Sequence, residues 1–299
     1  LHFPGICPKI PAMKRDDFDT LLDLAFEEDL GDRGDLTSQA IFGDERSAAL
    51  LSSKDTGVLA GMDCFVRVYA RLDPEVRVSA LLEEGASLSP GDPVARIEGR
   101  TLSLLSGERI AINVLAFLSG IATATRSYVE AAARNGRAVI LDTRKTLPGY
   151  RRLSKYAVSV GGGRNHRMGL HDMVLIKDNH IDAAGSITAA VGRVRTRWGD
   201  RFRIEVECRN AEEVEEALSA GVDIIMLDNM SVSATREALA LGKGRVLFES
   251  SGDMTREKVA EYAATGVDYI SVGRLTHSVK AFDFSLRVVK GGSPADNLV

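Results

Sequence analysis

The sequence predicts an α/β protein in which a C-terminal barrel of repeated βα units follows a smaller N-terminal α+β domain. Three observations predict it. Short apolar runs of strand type recur between residues 138 and 272 with starts 20 to 35 residues apart, and helical segments separate most of them. Between Gly34 and Arg100 the pattern is different, with short strand-like runs broken by Gly and Pro around a single helical stretch. The chain has 299 residues, 44% of them hydrophobic and 27% charged, which is enough for two domains and a large core and gives no case for disorder.

The first element is an amphipathic helix over 16–30, opened by Asp16 and Asp17 and stopped by Gly31. Strand-like runs follow at Ala48 to Ser52, Val76 to Leu82 and Val94 to Ile97, with a helix at Met62 to Leu72. From Thr101 to Asn135 an Ala/Leu/Ile-rich region reads as two helices interrupted at Ser119 and Gly120, at the junction between domains. The repeating strands then fall at Ala138 to Leu141, Met173 to Ile176, Phe202 to Val206, Asp223 to Leu227, Arg245 to Phe248 and Asp268 to Val272, with helices such as Ala211 to Ala220 and Thr255 to Thr265 between them. Helices of this length favour a closed barrel over an open sheet, and spacing alone leaves both open. Phe282 to Val289 reads as one more strand, returning to the first domain. The division is an N-terminal domain over 14–120, with 280–295 as a candidate completion, and a barrel over 121–279.

Composition excludes several classes. No run approaches 18 uncharged apolar residues, and the N-terminus lacks a basic region followed by an apolar block, so a protein without membrane span or secretory signal is expected. Cys7, Cys64 and Cys208 are odd in number and far apart, which argues against a disulfide framework or structural zinc and suits the cytoplasm. The net charge is −4, yet from Thr143 to Lys177 eight basic residues face the single acid Asp172, a window of +7. A cationic segment in an acidic molecule suits capture of a small polyanion. Nucleic acid is disfavoured by a pI near 5.8 and by the lack of interleaved aromatics in that segment.

In a βα barrel the residues just after each strand face the reactive end. Here those positions are ionisable or suited to phosphate: Asp142, Thr143, Arg144 and Lys145 after the first strand, Lys177 to His180 after the second, Glu205 and Glu207 on the third. Asp228 and Asn229 follow the fourth, Glu249 to Gly252 the fifth, and Gly273 and Arg274 the last. Two late Gly/Ser turns match the usual phosphate site of barrels. Glu207 and Asp228, ending neighbouring strands, suit a hydrated Mg2+ or ribose hydroxyls, Asp228 alternatively a helix cap. Glu205 reads instead as solvated outward or as a buried ion pair. Arg144, Arg167 and Lys177 suit substrate carboxylates. Arg151, Arg152 and Lys155, at helical spacing, read as a solvated face. His166 is open between substrate contact and structure, and His180 and His277 are equally open.

The strings Leu141-Asp142-Thr143-Arg144-Lys145-Thr146, Asn165-His166-Arg167, Met173-Val174-Leu175-Ile176-Lys177-Asp178-Asn179-His180, Glu205-Val206-Glu207, Met226-Leu227-Asp228-Asn229, Glu249-Ser250-Ser251-Gly252 and Gly266 to Gly273 closely resemble the quinolinate phosphoribosyltransferases, from about Phe18 to Leu286. The resemblance implies an N-terminal α/β sandwich and a barrel of fewer than eight strands, of type II phosphoribosyltransferase kind. It also implies a homodimer with a shared active site and a reaction of quinolinate with phosphoribosyl pyrophosphate and Mg2+ on the de novo NAD route. By matching positions, Arg144, His166, Arg167 and Lys177 would bind quinolinate, with Arg109 reaching in from the other subunit. Lys145, Glu207 and Asp228 would serve pyrophosphate, ribose and metal. Ser251-Gly252 and Gly273-Arg274 would hold the 5′-phosphate, and Thr143, Ser250 and Val272 complete the substrate-contacting set. Asp253 and Arg274 depart from the family, which commonly has a small or neutral residue and Ala there. An acid beside a phosphate is unfavourable unless it points away.

The chemistry needs no nucleophilic side chain, because the pyridine nitrogen attacks the ribose directly and positioning supplies much of the acceleration. Two rivals make different demands. A lyase using Lys145 or Lys177 as a Schiff-base nucleophile requires an apolar lysine setting, and a phosphometabolite sensor binds without turnover.

Overall fold

A computed structural model describes residues 15–242 and 244–289. Cys7 and residues 290–295 of the expected first-domain completion lie outside them. In chain order the elements are α1 (Arg15–Leu30), α2 (Leu36–Ile41), β1 (Arg46–Ser53), β2 (Gly57–Val58), α3 (Met62–Leu72), β3 (Arg77–Ala80), β4 (Ser87–Leu88), β5 (Pro93–Arg100) and α4 (Thr101–Ala133). They continue with β6 (Val139–Leu141), α5 (Arg151–Val160), β7 (Val174–Ile176), α6 (Asp178–Ala184), α7 (Ile187–Trp198), β8 (Ile204–Cys208), α8 (Ala211–Ala220), β9 (Ile224–Asp228) and α9 (Val232–Gly242). The last are β10 (Leu247–Ser251), α10 (Arg256–Ala263), β11 (Tyr269–Ser271), α11 (Arg274–His277) and β12 (Phe284–Val289). Two compact units result, one of residues 15–123, 152–161 and 279–289, the other of 124–151 and 162–278.

The first unit is built on an antiparallel sheet ordered β12-β1-β5-β3, with β2 and β4 as a separate pair. Alternation places Ala49, Leu51 and Ser53 of β1 inside, and Ala49 and Leu51 sit opposite Ile97 and Ala95 of β5. α3 buries Met62, Cys64, Phe65, Val68 and Tyr69, which fall on one face of the helix. The Glu84 carboxylate accepts the backbone N–H groups of Gly61 and Met62 at its first turn. The returning β12 pairs with β1, as the sequence suggests.

α4 departs from expectation, because it runs unbroken through Ser119 and Gly120 for 33 residues. Ser119 Oγ accepts the Ala60 N–H at 3.0 Å, and a Cβ on Gly120 would stand 2.2 Å from the Lys280 carbonyl oxygen. The small residues admit neighbouring backbone and do not end the helix. α4 is the one helix among the described residues long and apolar enough to cross a membrane, but 72% of its most apolar stretch is buried, as in a core helix.

The second unit holds six parallel strands ordered β6-β11-β10-β9-β8-β7. Consecutive strands from β7 to β11 are neighbours and the last returns to the first, which is barrel order; an open doubly wound sheet would reverse at a switch point. Beside β6 lies the extended segment at Arg164, which donates its N–H to Ile140 and accepts from Asp142. Helices α6 to α10 pack each on the next outside the strands. Several carry side-chain N-caps, Ser186 on α7, Asn210 on α8 and Thr255 on α10, so each strand-to-helix turn is fixed locally.

Every residue of β8 is buried, because one face of the strand lines the interior and the other meets the helices. Period-two alternation sorts the inward residues into layers. The lowest is apolar, with Leu141, Met173, Ile224 and Tyr269 joined by Val139 and Leu247. One step up are Glu205 and Glu249, and at the C-terminal ends stand Glu207, Asp228 and Ser251. α5 corrects the reading of a solvated basic face: only Arg152 is exposed, Lys155 is fully buried, and Arg151 donates to Thr146 Oγ1 and to the Arg144 and Met168 carbonyls.

Candidate active site

At the C-terminal ends of β6, β9, β10 and β11 a cavity of about 280 Å³ is lined by Lys145, Asp228, Asn229, Ser251, Gly252, Asp253, Met254, Gly273, Arg274 and His277. Its shape follows from two backbone features. Gly252 has φ +146°, and a Cβ there would meet Asn229 Oδ1 at 2.7 Å, so only glycine fits. Asn229 itself has φ +53°, a left-handed position that asparagine tolerates better than most residues. From it Nδ2 donates to Asp228 Oδ2 at 3.0 Å and the backbone N–H donates to Ser251. Asp228 is thereby oriented into the cavity. The start of α9 is served instead by Ser231, whose Oγ accepts the Ala234 N–H, so Asp228 is not needed as a cap.

Lys145 arrives from β6. Its backbone is held by Thr143 Oγ1, which accepts its N–H, and by Thr276 Oγ1, which donates to its carbonyl. Its side chain passes over Gly273, where an added Cβ would come within 3.1 Å of Lys145 Cδ. Asp253 turns toward Arg274, accepting Nε–H at 3.1 Å and Nη2–H at 2.7 Å on one oxygen. That pairing holds the Asp253 carboxyl below its ordinary pKa and answers its charge inside the site.

The other cations follow β6 or flank β7. Arg167 is only 5% exposed and donates Nη1–H to the Met173 carbonyl, while Arg144 is half-buried. Lys177 Nζ meets Glu207 Oε2 at 2.5 Å, an ion pair joining the ends of β7 and β8. His180 caps α6, its Nδ1 accepting the Lys177 N–H, and His277 Nδ1 bonds Ser278 Oγ. His166 is buried, with Nδ1 accepting the Arg167 N–H at 2.7 Å and Nε2 3.0 Å from Glu205 Oε2. Glu205 is fully buried rather than solvated outward, and its nearest polar neighbour there is the His166 ring. Burial, and after it the neighbouring Glu205 carboxylate, push Glu249 up to about 8.

The structure thus gathers Lys145, Asp228, Ser251, Gly252, Gly273 and Arg274 around one cavity; Lys177 and Glu207 pair at the ends of β7 and β8 without lining it, and Arg167 lines a different cavity against α6 and α7. Ser250 and Val272 are fully buried and do not line the cavity, since alternation turns both away from the barrel interior. Arg109 is exposed on α4 in the first unit. Sequence reasoning placed Asn229 at the strand end but gave no hint of its left-handed backbone or of its hold on Asp228. It also missed the His166–Glu205–Glu249 cluster, which joins three distant segments.

Residues 35–119 match the family model for the quinolinate phosphoribosyl transferase N-terminal domain, and residues 121–287 match that for its C-terminal domain. A probable nicotinate-nucleotide pyrophosphorylase (carboxylating) of Bacillus subtilis is 44% identical over 268 residues, covering 90% of this chain and 92% of that protein. A quinolinate phosphoribosyltransferase (decarboxylating) of Nicotiana tabacum is 40% identical and covers 94% and 85%. Among solved structures, NadC from Streptococcus pyogenes superimposes with a TM-score of 0.89 at 40% identity, covering 94% of this chain and all of that one.

Proposed function

The chain belongs to the quinolinate phosphoribosyltransferase family, and from that premise we propose how its barrel end carries the reaction. The enzyme transfers the phosphoribosyl group of phosphoribosyl pyrophosphate to quinolinate with decarboxylation, giving nicotinate mononucleotide, pyrophosphate and CO2 in de novo NAD biosynthesis. The observation that carries the residue assignment is the 280 Å³ cavity, where a lysine, an aspartate and two glycine turns meet.

Arg144, Arg167 and Lys177 neutralise the two quinolinate carboxylates, and His166 stands with them through the Arg167 N–H that it accepts. Ser251-Gly252 and Gly273-Arg274 hold the 5′-phosphate through backbone N–H groups and the guanidinium. With the ring nitrogen aimed at the anomeric carbon, a C–N bond forms as the C–O bond to pyrophosphate breaks, and the bonding pair leaves with pyrophosphate. Positive charge develops on the sugar, where Glu207 and Asp228 stabilise it, while Lys145 faces the departing phosphates. The resulting pyridinium then accepts the electron pair released as the C2 carboxylate leaves as CO2, and a proton takes its place on carbon. Positioning and electrostatics suffice, each group contributing a few kcal/mol, of order 2–4 by analogy with single oxyanion donors.

The donor set fits a hard cation. Among the described residues the Asp228 carboxylate is bonded only to its neighbour Asn229 in a polar cavity, and Glu207 shares a single oxygen with Lys177. One or two carboxylates with substrate phosphates and water is the usual Mg2+ environment. Asp228 and Glu207 would hold it, and bound there it supplies neutralisation of the pyrophosphate. A homodimer in which Arg109 of a second protomer completes the quinolinate side agrees with the exposure of that residue. A cytoplasmic setting suits the buried thiols of Cys64 and Cys208. The lyase rival gains no support: Lys145 is exposed and Lys177 is ion-paired, so neither lysine has the apolar setting a Schiff-base nucleophile needs.

Lys145→Ala tests the assignment. It is expected to lower pyrophosphate release at least about 100-fold, the scale of a lost electrostatic contact in a transition state, with the thermal midpoint unchanged. A wild-type rate would remove Lys145 from the site.

A further inference from the structure

Beneath the cavity the barrel interior holds a second cluster of ionisable groups. Glu205 of β8 and Glu249 of β10 are fully buried, all four carboxylate oxygens included, and one ligand atom from each lies within 4.8 Å of the other and of His166. His166 Nε2 is 3.0 Å from Glu205 and 3.6 Å from Glu249. Buried carboxyls are unfavourable in a packed interior, and apolar residues of the same volume commonly do as well or better for stability. Their presence therefore asks for another reason, and the reason lies on the opposite side of the imidazole. There Nδ1 accepts the Arg167 N–H at 2.7 Å, and the Arg167 guanidinium is in turn bonded to the Met173 carbonyl at 3.2 Å. A contact path runs from the two acids, through the ring, to the arginine assigned to the substrate.

We propose that Glu205 and Glu249 are positioning residues: they clamp the His166 ring from inside the barrel, so that Arg167 meets the substrate carboxylate in a single orientation. A carboxylate partner fixes the tautomer and the plane of a histidine ring, and a guanidinium held in place beforehand loses less freedom on binding. The acids stand on β8 and β10, whereas His166 and Arg167 follow the extended segment beside β6, so the clamp also ties that segment to β8 and β10.

The inference rests on the assignment of Arg167 to quinolinate, and the experiment separates the two. Quinolinate and phosphoribosyl pyrophosphate affinities are measured by calorimetry, with thermal midpoints, for the full chain and for Glu205→Gln, His166→Asn, their double variant and Arg167→Ala. Each single variant of the clamp weakens quinolinate binding about tenfold, and the double variant is no weaker than His166→Asn, because Glu205 acts through the ring. The affinity for the other substrate stays within about twofold, inside the range of independent sites. Should Glu205→Gln fail to fold, Glu249→Gln takes its place in the cycle. Losses that multiply in the double variant, or a lowered midpoint with quinolinate affinity intact, overturn the clamp. So does one transition-metal ion per chain that is lost in Glu205→Gln, which would make the cluster a metal site. If Arg167→Ala leaves quinolinate affinity unchanged, the substrate assignment falls and the clamp with it; if it weakens binding while the cycle is additive, only the clamp falls.

Discussion

Glu249 is the residue whose setting has the clearest thermodynamic consequence. Buried beside Glu205, it keeps its proton up to about pH 8 in the fold, whereas in the unfolded chain it ionises near its ordinary value of 4.5. Between those values the folded state binds a proton that the unfolded state has released, so this group's contribution to stability declines as pH rises from about 4.5 to about 8 and is flat on either side. Histidine 166, Glu205 and Ser271 are the groups that face it. Glu249→Gln keeps the shape and removes the titration. The variant should become progressively more stable than wild type between pH 5 and pH 8 in urea denaturation; a difference that does not change with pH contradicts this protonation state. The same residue shows why part of the site could not be read from sequence. Glu249 is one more polar residue after a strand run until the fold sets Glu205 and His166 against it. Lys145, Glu207 and Asp228, by contrast, stand at strand ends where residue type alone points to charge handling.

At the scale of elements, periodicity located most helices and strands within a few residues, and the misses have physical causes. α3 and α8 fall where their apolar stripe and flanking residues put them. β10 extends through Glu249, Ser250 and Ser251, because a barrel interior can accept polar inward residues that a hydrophobic run does not announce. The sequence predicts two helices where α4 runs unbroken, because Gly120 is a helix weakener in isolation, yet in the fold it is the point where the Lys280 backbone makes its approach. Gly120→Ala would raise intrinsic helix propensity and should still destabilise, by about 1–3 kcal/mol as for other overpacked sites. Chemical denaturation checks this, and a stabilised variant would mean that the carbonyl moves aside at little cost. Gly252→Ala belongs to the same class but sits in the cavity wall. It is expected to impair phosphoribosyl pyrophosphate binding more than stability, read from KM against the thermal midpoint.

Across the whole molecule, the uneven charge along the chain becomes intelligible once the strands close their order. A net charge of −4 conceals a +7 window from Thr143 to Lys177. The barrel order β6-β11-β10-β9-β8-β7 brings the ends of that window near carboxylates and glycine turns from strands far away in sequence. In the assignment proposed above, opposite charges are shared out between two substrates: cations for a doubly negative aromatic acid, acids for the sugar, and backbone amides for the phosphate. Residue types at the strand ends suggest this division in the sequence, while the pairing of Lys177 with Glu207 and of Asp253 with Arg274 required the fold. The most direct test of this division is steady-state pyrophosphate release by Arg167→Ala and Lys145→Ala with each substrate varied in turn. Arg167→Ala should raise the KM for quinolinate and leave that for phosphoribosyl pyrophosphate nearly unchanged, while Lys145→Ala should act on turnover and on the phosphorylated substrate. Equal effects of both variants on the same substrate would contradict the account.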